Sequence, residues 1–166
     1  MREIKNPEIL QVVMFVAESV LSNTHIDDAS IGIQLVNSPL VVRNCTMNGG
    51  GGVLLTGSTP MSLTLEHVSF NTRLGNAVNA SLLNTIDLSV INSRLSAYEL
   101  ATKVRCRGRL NVRIVNSTMS SISYGAVDIG GNVTRATVAA ESSSFNGQVQ
   151  IDDFTVDLQH LVSFVE

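Results

Sequence analysis

Glu66 and Asp87, with Arg113 beyond them, are the residues of this chain whose types best suit bond cleavage. Two carboxylates held about 5 to 9.5 Å apart can hydrolyse a glycosidic bond, one acting as acid and the other as base or nucleophile. The plainer reading of the three is scattered surface charge that keeps an exposed sheet soluble. A second set, Lys103, Arg105, Arg107 and Arg109, alternates along the chain. If alternate residues share a face, these four could bind an acidic sugar, a sulfate or a partner's carboxylates, and otherwise they mark a solvated strand edge.

Other chemistry-bearing residues read as scaffold. Asp27-Asp28 and Asp152-Asp153 are paired acids, but each pair supplies too few oxygens for calcium and suits a turn. His25, His67 and His160 have no metal-ligand spacing. Gly49 to Gly52 is followed by neither Lys-Ser nor Lys-Thr nor a helix pattern, so it reads as a turn rather than a phosphate cradle. No metal or cofactor is expected. Asn44, Asn79, Asn116 and Asn132 open Asn-x-Ser/Thr sequons, of which Asn79 and Asn132 could carry glycans in a secretory-pathway protein.

Composition narrows the classes further. The chain is 44% hydrophobic and 15% charged, which argues for a packed core, and its net charge of −3 with no Trp argues against a nucleic-acid partner. The longest apolar run, Val12 to Ala17, is too short to span a membrane, and the first residues do not form a signal peptide.

The elements that would position these residues come from a repeat. Met47, Phe70, Leu95, Met119 and Phe145 close similar units and fall 23, 25, 24 and 26 residues apart, with Leu21 to Ile26 as a looser copy upstream. Seven residues before each closing position stand Leu40, Leu63, Leu88, Val112 and Val138, and five before stand Val42, Leu65, Val90, Ile114 and Ala140. The residues between them are mostly polar, the period-two alternation of a strand with one buried face. A second apolar segment follows each unit: Ile31 to Leu35, Val53 to Leu55, Ala77 to Ala80, Ala97 to Ala101, Ala126 to Ile129 and Val149 to Ile151. Each unit therefore has at least two strands, and equivalent strands should pair in parallel.

Three residues before each closing position stand Asn23, Asn44, His67, Asn92, Asn116 and Ser142. Stacked at equivalent turns, these side chains can bond to one another and to turn backbone that would otherwise be buried unpaired. An antiparallel sandwich would give no reason for this recurrence. Cys45 and Cys106 fall in coils two or three apart, about 4.8 Å per coil, beyond the reach of a disulfide, so both should be free thiols.

From residue 20 to 152 this pattern resembles the right-handed parallel β-helix superfamily, the architecture of pectate lyases, tailspikes and many surface proteins. The resemblance implies an all-β solenoid of about six coils. It carries no catalytic signature across, since the Gly-His-Gly and Arg-Ile-Lys triplets of galacturonases are missing. A fainter similarity, in Asn116-Ser117-Thr118-Met119 and Gly131-Asn132-Val133-Thr134, is to the large repetitive surface proteins of trypanosomatid parasites.

One domain over 1–166 is expected, with a cap region over 1–20, coils over 21–152 and a partial coil over 153–166. The phrase Asn6-Pro7-Glu8 predicts a short helical turn near residues 7 to 11, and the alternation of Phe154, Val156 and Leu158 predicts a further strand. A coil begun near residue 153 suggests a piece of a longer chain. The functional expectation is a non-catalytic structural or adhesive module of an extracellular or cell-surface protein, offering a polar sheet to a glycan or protein partner. A carbohydrate-active enzyme or its remnant is the alternative, and a viral or phage fibre segment that self-associates end to end or side by side is a third.

Overall fold

The computed structural model describes residues 2–5, 13–14, 19–28, 32–152 and 163–164. Among them there is no helix, and every strand pairing is parallel. The helical turn expected near residues 7 to 11 and the alternation at Phe154 to Leu158 lie outside the described residues. No helix there is long and apolar enough to cross a membrane.

Each unit contributes three strands, one more than the minimum that alternation required. In the third unit these are Met61–Glu66, Ser69–Thr72 and Val78–Leu82, and they belong to three different sheets. The described strands assemble as a 6-stranded sheet, an 8-stranded sheet and a 7-stranded sheet, visited in that order on every circuit. The chain is thus a parallel β-solenoid of about five turns, in which residues 19–152 place six rungs in each sheet. Strand Ser163–Phe164 adds to the 8-stranded sheet beside Ser144 and Phe145.

The repeat residues pair with one another. Met47, Phe70, Leu95, Met119 and Phe145 are consecutive register partners down the 8-stranded sheet, with Ile26 below Met47. Leu40, Leu63, Leu88, Val112 and Val138 do the same down the 6-stranded sheet, beside the row from Val42 to Ala140. Stacking like on like fills the lumen with unbroken apolar columns: Phe70, Leu65, Leu95 and Met119 are each at most 1% exposed. Burying a side chain of that size contributes roughly 1.5 to 3 kcal/mol.

One second strand lies elsewhere than expected. Ala97 to Ala101 straddles a corner, with Ala97 closing Arg94–Ala97 of the 8-stranded sheet, while Leu100–Cys106 forms the strand of the 7-stranded sheet. Short apolar residues on both sides of a corner hid the break.

The corner between the 6-stranded and 8-stranded sheets explains the asparagine column. Asn23, Asn44, His67, Asn92, Asn116 and Ser142 all have φ between 46° and 53°, the left-handed region that costs most L-residues about 1 to 2 kcal/mol and that asparagine visits most readily. The backbone ladder continues through the bend: Asn44 N donates to Glu66 O, His67 N to Ile91 O and Asn92 N to Val115 O at 3.0–3.1 Å. The side chains also stack, Asn116 Nδ2 donating to Asn92 Oδ1 at 2.8 Å and Asn92 Nδ2 meeting His67 Nε2 at 3.4 Å. All six lie exposed on the outer side of the bend. The asparagines are therefore selected chiefly by backbone conformation, and Asn44 and Asn116 are not enclosed as their sequons were expected to be.

The groups buried at this corner are served by the next residue along. Ser93, Ser117 and Ser143 point inward at 3–6% exposure. Val68 N donates to Ser93 Oγ, Ser93 N to Ser117 Oγ and Ser117 N to Ser143 Oγ, each at 3.1 Å. Each hydroxyl in turn donates to the carbonyl two residues earlier, Ile91, Val115 or Glu141, at 2.7–2.8 Å. One oxygen thus satisfies an amide of the neighbouring rung and a carbonyl of its own. Thr24 and Cys45 hold the same place in earlier rungs and donate to Ser22 O and Arg43 O. Both cysteines are buried and free, at different corners of the coil.

Candidate functional site

The expected acid pair does not converge. Glu66 and Asp87 both point outward on neighbouring strands of the 6-stranded sheet, but Asp87 is opposite Ser62 and Glu66 is opposite Ile91. Four residues along the strand and one strand across leave their Cα atoms about 14 Å apart. Glu66 also leans away, accepting from Arg43 Nε at 2.7 Å on the rung below, while Asp87 accepts from Asn111 Nδ2 on the rung above. Arg113 lies two rungs from Glu66, opposite Ser89 and Ala139.

The basic run is divided among three places. Lys103 and Arg105 point outward from the 7-stranded sheet, Arg107 is at the corner, and Arg109 opens Arg109–Val115 of the 6-stranded sheet. Arg105 is taken up by Asp128, its Nη2 donating to both carboxylate oxygens at 2.7 and 2.8 Å. Lys103, directly opposite Asp128, has no carboxylate partner among the described residues.

Lys103 instead lines a cleft of about 500 Å³ on the outer face of the 7-stranded sheet. Tyr124, Glu99, Leu100, Val127, Asp128, Gln148 and Gln150 complete its walls. Two features of the coil build it. The strands carry Lys103, Asp128 and Gln150 in register across three rungs, so a cation, an acid and an amide stand about 4.8 Å apart in a row. The corner leading from the 8-stranded sheet then raises a wall of loops stacked rung on rung, with Ile122 N, Ser123 N and Tyr124 N donating to Ala97 O, Tyr98 O and Glu99 O.

Those loops are apolar at their tips. Leu74, Tyr98, Ile122 and Tyr124 are 70%, 47%, 78% and 69% exposed on successive rungs of the same corner. Periodicity could not find them, because they occupy the variable stretch between repeats. The visible signal was compositional: both tyrosines of the chain are in these loops.

A second, shallower groove follows the asparagine corner, lined by Asn44, His67, Asn92, Asn116 and Arg94 among others. It offers amides without an aromatic wall. His25 is held between Thr46 Oγ1 at Nδ1 and Asp27 Oδ2 at Nε2, the latter 2.6 Å away, and Asp27 also accepts from Asn48 Nδ2 at 3.3 Å. These are cross-strand pairs on the outer face of the 8-stranded sheet, so Asp27 is a strand residue, whereas Asp28 has the left-handed φ of a turn. His67 occupies its corner beside Glu66, and His160 and Asp153 lie outside the described residues. Asp152 Oδ2 accepts from Gly131 N, as a turn acid would. The glycine run is an ordered turn, Gly49 O and Gly50 O accepting from Arg73 N and Leu74 N. No group of three or more His, Cys, Asp or Glu among the described residues could hold a metal ion.

Of the sequon residues, Asn79 points outward from the 7-stranded sheet opposite Leu54 and Lys103, and Asn132 is exposed at a corner. The fold thus rests on strand register and the candidate site on its own geometry: no protein-family model, no curated protein and no solved structure matches the chain.

Proposed function

We propose that this protein is a non-catalytic adhesive module of a surface-exposed protein, binding a glycan in the Tyr124 cleft. The observation that carries this reading is the lining of that cleft. A sugar ring has an apolar face and a rim of hydroxyls, so it is held by an aromatic wall together with a few fixed amides and charged groups. Tyr124 is such a wall. Gln148 and Gln150 donate and accept, Glu99 and Asp128 accept from hydroxyls, and Lys103 donates to them. Arg105 already holds Asp128 in place, which lowers the ordering cost on binding. Tyr98 and Ile122 extend the platform beyond the cleft.

The likeness to the right-handed β-helix superfamily supports a carbohydrate setting, and the likeness to repetitive trypanosomatid surface proteins supports a cell-surface one. The enzyme reading is the weaker, because the register of Glu66 and Asp87 exceeds the carboxylate separation that glycoside hydrolysis needs.

A glycan array followed by calorimetry with the best ligand tests the proposal. Tyr124→Ala and Lys103→Ala should each weaken binding at least tenfold with an unchanged circular dichroism spectrum, since both side chains lie outside the core. Failure of every glycan to bind, or a Tyr124→Ala protein that binds like the parent, would overturn it.

A further inference from the structure

We propose that Arg109 and Arg135, flanked by Arg107 and Arg113, form a clasp for the sulfate or carboxylate groups of an acidic polysaccharide, on a face separate from the Tyr124 cleft. Arg109 and Arg135 are register partners at the start of adjacent strands of the 6-stranded sheet, both exposed and outward. They stand about 4.8 Å apart at the backbone. Like charges directly opposite on paired strands destabilise a sheet, unless an anion sits between them.

The molecule supplies no such anion. Arg43 meets Glu66, Arg73 approaches Asp28 at 3.9 Å and Arg105 grips Asp128. Among the described residues none pairs with Arg107, Arg109, Arg113 or Arg135. The nearest outward acid on the strand below, Asp87, faces Asn111 and accepts from its amide. Glu141, on the strand above, is opposite Val115, two positions beyond the level of Arg113.

Rigidity favours a clasp over four loose side chains. The corner carrying Arg107 is tied to the next rung, where Thr134 donates to Gly108 O through its N at 2.9 Å and its Oγ1 at 3.1 Å. That lock immediately precedes Arg135. Guanidinium forks suit planar carboxylate and tetrahedral sulfate alike, and two forks on adjacent strands can share one anion. Arg113, four residues along from Arg109, lies about 13 Å away on the same face, so a linear polyanion can engage it with a second group. Asn111, Thr137 and Ser89 are the polar neighbours and suit sugar hydroxyls, while the described outward positions of this sheet hold no aromatic side chain on which a nucleobase could stack.

Heparin, polygalacturonate, dextran and a single-stranded oligonucleotide are the probes. Heparin should bind, more weakly as salt rises, and polygalacturonate should compete if carboxylates suffice or fail to compete if sulfate is required. The Arg109→Gln/Arg135→Gln double variant should lose at least tenfold in heparin affinity. Arg94→Gln, which removes an exposed charge from the 8-stranded sheet, should change it less than twofold, and Tyr124→Ala should leave it unchanged, separating this site from the cleft. Arg109→Lys/Arg135→Lys, which keeps charge and loses the fork, should fold and bind with intermediate affinity. Parent-like heparin binding by either double variant overturns the clasp, as does an equal loss in Arg94→Gln, competition by dextran, or tighter binding of the oligonucleotide.

Discussion

Replacing Asn116 in two different ways separates the two roles its position could have. The residue has φ of 46°, and its exposed amide donates to Asn92 at 2.8 Å. Alanine removes the amide and places a Cβ in the left-handed region, at a cost of about 1 to 2 kcal/mol less whatever strain asparagine already bears. Glycine removes the same amide without that strain, and its extra freedom when unfolded costs about 0.4 to 1 kcal/mol. The exposed hydrogen bond is worth at most about 0.5 kcal/mol, at the low end of the range for such bonds, and it is lost equally in both. Glycine should therefore come out more stable than alanine by several tenths to about 1 kcal/mol. For a chain of this size that is roughly 2 to 4 °C of melting temperature per kcal/mol. Urea unfolding followed by circular dichroism, with equal denaturant slopes in both variants, measures the difference. If glycine and alanine destabilise equally, the amide column holds the corner and the conformational explanation fails.

Four further outcomes follow from the same structure. Ser117→Ala should cost about 1 to 3 kcal/mol in urea unfolding, because the buried Ser93 amide loses its acceptor, whereas Val115 O keeps its bond from Asn92 N. Ser38→Ala should be neutral or stabilising in the same assay, since Ser38 Oγ is buried without a partner and the residue is 1% exposed. Gly52→Ala should lower the melting temperature sharply, because a Cβ there would stand 2.1 Å from Ala77 O, a backbone atom of the next rung that cannot step aside. Arg113→Ala, exposed on the outer face, should change stability by under about 0.5 kcal/mol, and a larger loss would mean that it has a structural partner.

What the sequence revealed follows from which interactions recur with the chain's own period. Phe70 and Leu95 could be aligned before any coordinates because parallel in-register stacking puts like residues on like. His67 and Ser142 were found at the corner for the same reason, although neither is an asparagine. The split into three strands was harder to see. At the corner two consecutive residues, such as Glu66 and His67, face outward before Val68 turns in, a slip of one residue in the alternation that reads as noise in a single unit. The serine column escaped notice because it starts only at Ser93 and because serine is common throughout the chain. Arg135 and Tyr124 could not be placed at all. Their significance depends on what lies one rung away, 26 residues back for Arg135, and only register supplies that neighbour.

The three corners of the coil differ in how they absorb changes in length. From Asn44 to Met47, from Asn92 to Leu95 and in every other described rung, the asparagine corner spans the same three residues. The corner that carries Tyr98 and Tyr124 runs from 4 residues, Phe145 to Val149, to 8 residues, Phe70 to Val78. Insertions and deletions therefore fall beside the cleft and never disturb the column that keeps the rungs aligned. Evolution, or an engineer grafting loops, can rewrite the recognition surface rung by rung while the lumen stays as it is.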